Sequence, residues 1–195
     1  MAVLEILTYP DEALHKRCSE VTAFDAGLHK LLDDMAQTMQ SQEGIGLAAN
    51  QVGELRRLFL MDVPLGKDAQ TGAELRTGLL EIINPRIANK RGEVRFEEGC
   101  LSFPGIYENV IRANEIELHW QDRTGAPQQA KLQGLVAICA QHEFDHLEGI
   151  TFVERLSPLK RRLALREYER ANRESIEDKQ FRAKARQRRQ PQQLS

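Results

Sequence analysis

The sequence predicts an α+β fold, with antiparallel β-sheets packed around a central helix that carries an H-E-x-x-H motif, and with a long C-terminal helix. Two observations favour this class over a doubly wound sheet. Short strand candidates are mixed with three separated helical segments, and strands and helices do not alternate regularly along the chain. The chain has 195 residues, of which 41% are hydrophobic, so it is long enough for one core plus an appendage.

Local patterns predict the order of the elements. A first helix is predicted over 25–42, where leucines and methionines recur at helical spacing behind an aspartate that can serve as the N-cap. The polar stretch 64–77 is predicted to be a loop. The second helix carries the H-E-x-x-H motif and ends near Gly149. Beyond Pro158 a long, mostly exposed helix is predicted to fray into a basic tail at 187–195. Strands are predicted at 57–62, 79–83, 93–96, 116–120 and 128–133, the last two joined by a turn at 122–125.

The most informative segment is Gln141–His146, which reads Q-H-E-F-D-H. Positions four apart share one face of a helix, so His142 and His146 can direct two imidazoles at one metal ion. Glu143 stands where H-E-x-x-H hydrolases carry their general base. The alternative is a surface helix with two solvated histidines and an unrelated glutamate.

A catalytic metal site of this kind needs a third protein ligand and one open position. No histidine follows His146, and no local pattern marks Glu148 or Glu154 as a ligand. Cys139 lies seven residues before His146, a rise of about 10.5 Å along a helix, so we expect it to be a buried neighbour of the site and not a ligand. Cys100 lies among glycines at a predicted strand end, where a side chain can project. It is either the third ligand or a core residue.

The segment Gly44–Gln51 matches G-x-G-x-x-A, the pattern of dinucleotide-binding turns. Its context argues against a nucleotide, because the preceding segment is helical and the following one is too short for a phosphate-facing helix. We expect instead a tight turn that lets the chain pass close to another segment. In a functional interpretation, the same turn brings Gln51, a neutral amide donor, up to the metal.

The net charge of -2 conceals an uneven distribution. Residues 160–189 hold 12 Lys/Arg and 5 Asp/Glu, whereas the rest of the chain holds 15 and 24. The basic segment is either a solvated helix with internal Glu–Arg pairs or a docking site for ribosomal RNA. We therefore predict a catalytic metallohydrolase domain at 1–157 and a basic C-terminal helix and tail at 158–195.

Composition also bears on location. No apolar run approaches the 18 or so residues of a membrane span, and the first residues lack the basic region of a signal peptide. The three cysteines are an odd number without the spacing of a disulfide framework, which fits a reducing compartment. We expect a cytoplasmic protein with neither a membrane nor DNA as a partner.

Three segments, Gly44–Gln51, Glu98–Ser102 and Gln141–His146, together resemble the motif set of the bacterial-type peptide deformylases. The resemblance spans roughly residues 1–157. It implies a hydrolase that removes the N-formyl group from the N-terminal methionine of nascent polypeptides and releases formate. The implied cofactor is one Fe²⁺ ion per chain, for which Ni²⁺, Co²⁺ or Zn²⁺ can substitute.

The resemblance also implies roles for individual residues. Glu143 would be the general base and acid, and Gln51 together with the backbone N–H of Leu101 would form the oxyanion hole. The metal ligands would be Cys100, His142 and His146. Candidates for the methionine pocket, each of which can equally be ordinary core, are Ile45, Gly46, Phe96, Leu135, Ile138 and Cys139.

Two other functions stay open at this stage. One is an endopeptidase of the H-E-x-x-H type, in which a downstream glutamate would replace Cys100 as the third ligand. The other is a binding protein whose metal is structural and is closed by four ligands.

Overall fold

Residues 2–173 are described by the computed structural model of the protein, and they form three α-helices and nine β-strands. The predicted mixture of helices and antiparallel strands is confirmed. The helices are α1 (Ala26–Ser41), α2 (Gly134–Leu147) and α3 (Pro158–Ala171). The strands are β1 (Gly46–Ala48), β2 (Leu58–Met61), β3 (Pro64–Lys67), β4 (Glu74–Arg76), β5 (Leu80–Arg91), β6 (Val94–Gly99), β7 (Tyr107–Arg112), β8 (Glu115–Gln121) and β9 (Pro127–Gln133). Short 3₁₀ turns lie at Glu12–His15, Ala49–Val52 and Phe152–Arg155.

The strands form three antiparallel sheets. The largest has five strands in the order β1-β2-β5-β8-β9, and β3–β4 and β6–β7 form two-stranded sheets. The β8–β9 hairpin is the one predicted from the alternating pattern, and it pairs from Glu115 opposite Gln133 to Gln121 opposite Pro127. Across residues 2–173 no helix is both long and apolar enough to span a membrane.

Helix α1 forms as the periodicity predicts. The Asp25 side chain accepts a hydrogen bond of 2.9 Å from the Leu28 N–H, which satisfies one of the free donors at the helix start. The apolar stripe of α1 is buried and packs in one core cluster with residues of β1 and β2. Each fully buried leucine or methionine contributes about 1.5–3 kcal/mol by leaving water, so this face anchors α1 on the large sheet. The stripe consists of Leu28, Leu31, Leu32, Met35 and Met39.

The prediction of a loop over 64–77 is wrong. This stretch is a hairpin of β3 and β4, with Pro64 opposite Arg76 and Lys67 opposite Glu74. Asp68 begins its turn and accepts hydrogen bonds from the Gln70 and Thr71 backbone N–H groups. Most residues of both strands are exposed, so the hairpin lacks the alternation of apolar and polar residues that marks a half-buried strand.

Several strands are longer than their local patterns predicted, or were not predicted. The strand predicted at 79–83 runs on to Arg91 as β5, because the chain continues pairing with β8 beyond a register shift between Ile83 and Arg86. The intervening Asn84, with φ of 52°, and Pro85 resemble a strand end in the sequence. Strands β1 and β7 were not predicted, since β1 has only three residues and β7 lacks a regular alternation of apolar and polar residues.

Helix α2 contains the H-E-x-x-H motif and is buried over most of its length. It packs against β1, β2, β8 and β9 and against the 3₁₀ turn at Ala49–Val52. Two small residues, Ala137 and Ala140, face the core and let the helix backbone approach the sheet closely. The side-chain amide of Asn50 donates to the His146 carbonyl at 2.6 Å, which ties this end of α2 to the turn after β1.

Helix α3 begins at Pro158, a favourable first position because proline lacks an N–H that would otherwise be unsatisfied. Ala164 and Tyr168 are its buried residues, and both belong to a core cluster with Phe103 and Phe152. The predicted tail at 187–195 lies outside the described residues. The boundary between 157 and 158 stays a prediction.

Candidate metal centre and active site

The structure brings Cys100, His142 and His146 together. Their ligand atoms all lie within 4.8 Å of one another. The two histidines are one helical turn apart on α2, and their ring centroids are 5.0 Å apart. Cys100 follows directly after β6, and its Sγ lies 3.3 Å from His146 Nε2. One sulfur and two imidazole nitrogens therefore converge from segments distant in sequence.

The donor set fits a single metal ion. Metal–ligand distances of 2.3 Å for sulfur and 2.0–2.1 Å for nitrogen place the two donor atoms about 3.5 Å apart in tetrahedral coordination, close to the observed separation. His142 Nδ1 lies 2.8 Å from a carboxylate oxygen of Glu98. The carboxylate accepts a hydrogen bond from the Nδ1–H, so Nε2 keeps its lone pair for a metal. Burial lowers the pKa of His146 well below its ordinary value, so this imidazole is neutral.

The other candidate ligands are engaged elsewhere. Cys139 Sγ lies 3.6 Å from the Ile45 carbonyl oxygen, and burial raises the pKa of its thiol well above the ordinary value. Glu148 pairs with Arg57 at 2.6 Å. Glu154 accepts a hydrogen bond from the Thr151 N–H at 2.8 Å. Among these cysteines and glutamates, Cys100 is the one whose donor atom lies with those of His142 and His146.

Glu143 lies against β1. A Cβ atom at Gly46 would be only 2.8 Å from the carboxyl carbon of Glu143, so this position of β1 has room only for glycine. The predicted close approach of the glycine turn to another segment is thus present, and β1 leads into a 3₁₀ turn instead of a phosphate-facing helix. Burial raises the pKa of Glu143 to about 7. Its Oε2 is buried without a hydrogen-bond partner within residues 2–173.

Gln51 is held with its amide toward the same site. Its Oε1 accepts a hydrogen bond of 2.9 Å from the Ala48 N–H, which orients the carboxamide. Its Nε2 then lies 3.1 Å from Ser102 Oγ and 3.5 Å from Cys100 Sγ. Leu101, next to the thiol, lines the cavity into which Gln51 also faces.

A cavity of about 650 Å³ opens onto this group. Its volume lies in the range of small-molecule sites. The six residues proposed for the methionine pocket all line it, together with Gln51, Glu143, Cys100 and His142. Five of the six are half-buried or buried, and Phe96 is more exposed, at 38%. The pocket candidates are Ile45, Gly46, Phe96, Leu135, Ile138 and Cys139.

Comparison with known proteins adds to this geometry. The family model of polypeptide deformylase matches residues 3–162. The chain belongs to the peptide deformylase family. A peptide deformylase of Chromobacterium violaceum is 51% identical over 160 residues, which are 82% of this chain and 90% of that protein. One of Wolinella succinogenes is 42% identical over 174 residues, 89% of this chain and 100% of the relative.

Solved structures of the family share the fold. The peptide deformylase of Ehrlichia chaffeensis has a TM-score of 0.81 at 39% identity, and the match covers 90% of this chain and 99% of that one. The enzyme of Legionella pneumophila has a TM-score of 0.78 at 41% identity over 90% and 98% of the two chains. The protein is therefore an enzyme, a hydrolase of the peptide deformylase family.

One buried ion network of this peptide deformylase was not predicted from its sequence. Arg112 Nε lies 2.7 Å from one oxygen of Glu98, and its Nη1 lies 2.5 Å from Asp145. Burial alone would raise the pKa of Glu98. The hydrogen bonds from Arg112 and His142 have the larger combined effect and lower this pKa to about 2. Glu98 is thus an anion that orients His142. No sequence pattern pointed to this network, because an isolated arginine ordinarily predicts a surface cation.

Proposed function

We propose that the protein removes the N-formyl group from the N-terminal methionine of nascent polypeptides and releases formate. The observation that carries this proposal is the group formed by Cys100, His142 and His146, with Glu143 and Gln51 beside it at the floor of one cavity. A thiolate in the ligand set argues against the endopeptidase alternative, in which a downstream glutamate would be the third ligand. The family membership supports the same reaction.

We propose one Fe²⁺ ion per chain as the cofactor, for which Ni²⁺, Co²⁺ or Zn²⁺ can substitute. Cys100, His142 and His146 would hold it. A bound ion at this position supplies a Lewis acid and lowers the pKa of water, so that a nucleophile forms near neutral pH. The mixed sulfur and nitrogen donor set suits several of these metals, so the preference for iron rests on the family resemblance.

The residues around the ligands can move the protons of the hydrolysis. Water adds to the formyl carbon and the carbon–nitrogen bond breaks, which yields formate and the free amine of methionine. Glu143 would take a proton from the attacking water and later deliver one to the leaving nitrogen. Its buried, unpaired Oε2 and its place at the cavity floor support this role.

The negative oxygen that develops during attack needs hydrogen-bond donors. We propose Gln51 Nε2 and the backbone N–H of Leu101 for this purpose. Gln51 is already oriented through its Oε1 by the Ala48 N–H, so it would not have to reorganise during the reaction. Loss of one such donor typically costs about 3–4 kcal/mol of transition-state stabilisation.

The methionine side chain would occupy the apolar wall of the cavity. Ile45 and Gly46 form one side of this wall, and Leu135, Ile138 and Cys139 come from α2. Phe96 lies on β6 and would cover the side chain from the other direction. An apolar pocket of this kind accepts an unbranched thioether without requiring a hydrogen bond.

We also propose that the enzyme works in the cytoplasm and docks on the ribosome through the basic segment at 158–195. Within the described part of α3, Arg162, Arg166 and Arg170 are exposed and follow one another at intervals of four residues. They share one face of the helix, opposite the buried Ala164 and Tyr168. Phosphate binding by such a stripe would weaken with salt.

Formate release tests the catalytic proposal. The wild-type protein, loaded with Fe²⁺ under anaerobic conditions, should release formate from formyl-Met-Ala-Ser. Glu143→Ala should keep its metal and lose at least about 10²-fold in kcat, since it removes the proton-transfer group. Turnover within threefold of wild type in this variant would contradict the role of Glu143, and cleavage of internal peptide bonds by the wild type would favour an endopeptidase.

Ribosome binding is tested separately. Replacing Arg162, Arg166 and Arg170 together by glutamine should reduce co-sedimentation with ribosomes at low salt and leave formate release from short peptides unchanged. These exposed positions are better targets than a deletion after Pro158, because a deletion would also remove the buried Tyr168. Unchanged co-sedimentation of the triple variant would refute docking through this stripe.

A further inference from the structure

Tyr168 of α3 is the start of a hydrogen-bonded connection to the active site. It is 2% exposed, although α3 is otherwise mostly solvent-facing. Its hydroxyl donates to the Tyr9 carbonyl at 3.1 Å. Its ring packs edge-on against the Tyr9 ring, with centroids 5.7 Å apart. The helix is therefore fastened to the N-terminal segment by both a polar and an apolar contact.

Tyr9 in turn holds the turn that carries the thiol. Its backbone N–H donates to the Ser102 carbonyl at 3.0 Å. Its ring stacks on Phe103 at 5.3 Å, and Phe103 also contacts Tyr168 at 5.4 Å. The Phe103 N–H donates to the Cys100 carbonyl at 2.9 Å and closes the turn. The position of the Cys100–Phe103 turn thus depends on two aromatic residues outside it.

The connection ends at the amide of Gln51. Ser102 is fully buried, and its Oγ lies 3.1 Å from Gln51 Nε2. The same Nε2 lies 3.5 Å from Cys100 Sγ. A displacement of the Cys100–Phe103 turn would therefore move both the thiol and the hydrogen-bond partner of the Gln51 amide.

We propose that Tyr168 is a positioning residue for this reaction, acting through Tyr9 and Ser102 on the donor geometry of Gln51. This inference rests on the proposed function of Gln51 as an oxyanion donor. Helix α3 would then have two roles. Its exposed basic face would dock on the ribosome, and its buried face would set the geometry of the active site. Tyr168 lies behind the turn and does not line the substrate cavity, so it is not itself a catalytic residue.

The proposal predicts an effect on kcat with little effect on KM. The residues proposed to bind methionine lie on β1 or just before it, on β6 and on α2, and none of them takes part in the Tyr168–Tyr9–Ser102 connection. A misplacement of about 1 Å in a catalytic group can cost about 10²-fold in rate. Tyr168→Phe removes the hydroxyl and keeps the ring, so we expect kcat to fall by about fivefold. Tyr168→Ala removes both contacts and should lower kcat by more than about tenfold.

Two controls separate positioning from general destabilisation. Leu28→Ala creates a cavity in the core under α1, far in sequence from the Cys100–Phe103 turn, and should lower the melting temperature without lowering kcat well below that temperature. Leu163→Ala alters an exposed residue of α3 and should leave both quantities unchanged. All variants are full-length chains loaded with the same metal, and metal content is measured for each.

A double-mutant cycle decides the case. If Tyr168 acts through Gln51, Tyr168→Phe should lower kcat clearly less in a Gln51→Ala background than in the wild type, since coupled residues are not additive. If the losses in kcat from Tyr168→Phe and Gln51→Ala add up in the double variant, the proposal is wrong. It is also wrong if Tyr168→Phe alone leaves kcat unchanged. Both tests hold even if Tyr168→Ala fails to fold. If Gln51 is not an oxyanion donor, the result is different, because Gln51→Ala alone would then leave formate release unchanged.

Discussion

Replacing Gly46 by alanine perturbs the contact between β1 and Glu143. An alanine Cβ would lie 2.8 Å from the carboxyl carbon of Glu143. Carbon atoms pack at about 3.5–4.0 Å, so one of the two groups would have to move by about 1 Å. Gly46 pairs with Met61 of β2, and Glu143 lies on buried α2. Because the backbone on both sides is packed, we expect the carboxylate to be the group that moves.

A shift of about 1 Å in a catalytic group can reduce the rate by about 10²-fold. We therefore expect Gly46→Ala to lower kcat for formate release from formyl-Met-Ala-Ser by one to two orders of magnitude. Metal content should stay at the wild-type level, because the three atoms nearest to the added methyl group belong to Glu143 and not to Cys100, His142 or His146. Gly27→Ala on α1 is the matched control, since Gly27 is exposed and alanine is favourable inside a helix.

The same substitution is also tested by its effect on stability. In the wild-type background Gly46→Ala should lower the melting temperature, because the added methyl group overpacks a buried contact. In a Glu143→Ala background the three atoms nearest to the added methyl group are absent, so the penalty should largely disappear. Formate release within threefold of wild type, or an equal loss of stability in both backgrounds, would refute the close contact on which this reasoning depends.

Three further predictions concern the ion network, the ligand set and the first helix. Arg112→Ala removes the buried cation that Glu98 and Asp145 share, so that Glu98 keeps His142 and Asp145 keeps the partly exposed Arg155 as partners. The loss of this shared cation should lower the free energy of unfolding by about 3–5 kcal/mol in urea titrations. Arg155→Ala, at a 43% exposed side chain, should lower it by clearly less, and equal losses would contradict the buried network. Cys100→Ala should reduce the metal content measured by elemental analysis, whereas Cys139→Ala should retain it; the reverse result would exclude the proposed ligand set. Asp25→Ala removes the N-cap of α1 and should cost about 1 kcal/mol of stability, with activity unchanged at temperatures where the variant is folded.

Much of the fold followed from local patterns. Helix α1 and its N-cap could be predicted because a 3.6-residue period and a capping aspartate are properties of a short window. The β8–β9 hairpin could be predicted for a similar reason, since the turn chemistry at 122–125 lies between two strands that pair with each other. The hairpin at 64–77 could not, because its strands are exposed on both faces and no apolar alternation marks them.

In the candidate site, too, the residues that share a local motif could be predicted and those distant in sequence could not. His142, Glu143 and His146 share a short helical motif, so their common face was predictable from spacing alone. Cys100 is 46 residues from His146, and no spacing rule connects a residue on a turn to one on a helix. The family resemblance supplied Leu101 and gave definite roles to Cys100 and Gln51, which reasoning from the residues had raised as candidates. Reasoning from the residues alone had left Cys100 as either a ligand or a core residue.

Adjacent or regularly spaced residues were enough to predict the helices with a clear period, the hairpin with a clear turn, the pair of histidines and the family motifs. Which distant groups meet became visible only in the folded protein. In the folded protein, Glu98 contacts both His142 and Arg112, and Gly46 lies close to the Glu143 carboxylate. Tyr168 is connected through Tyr9 and Ser102 to Gln51. These contacts depend on how the sheets and helices pack, and packing joins residues that no local pattern relates.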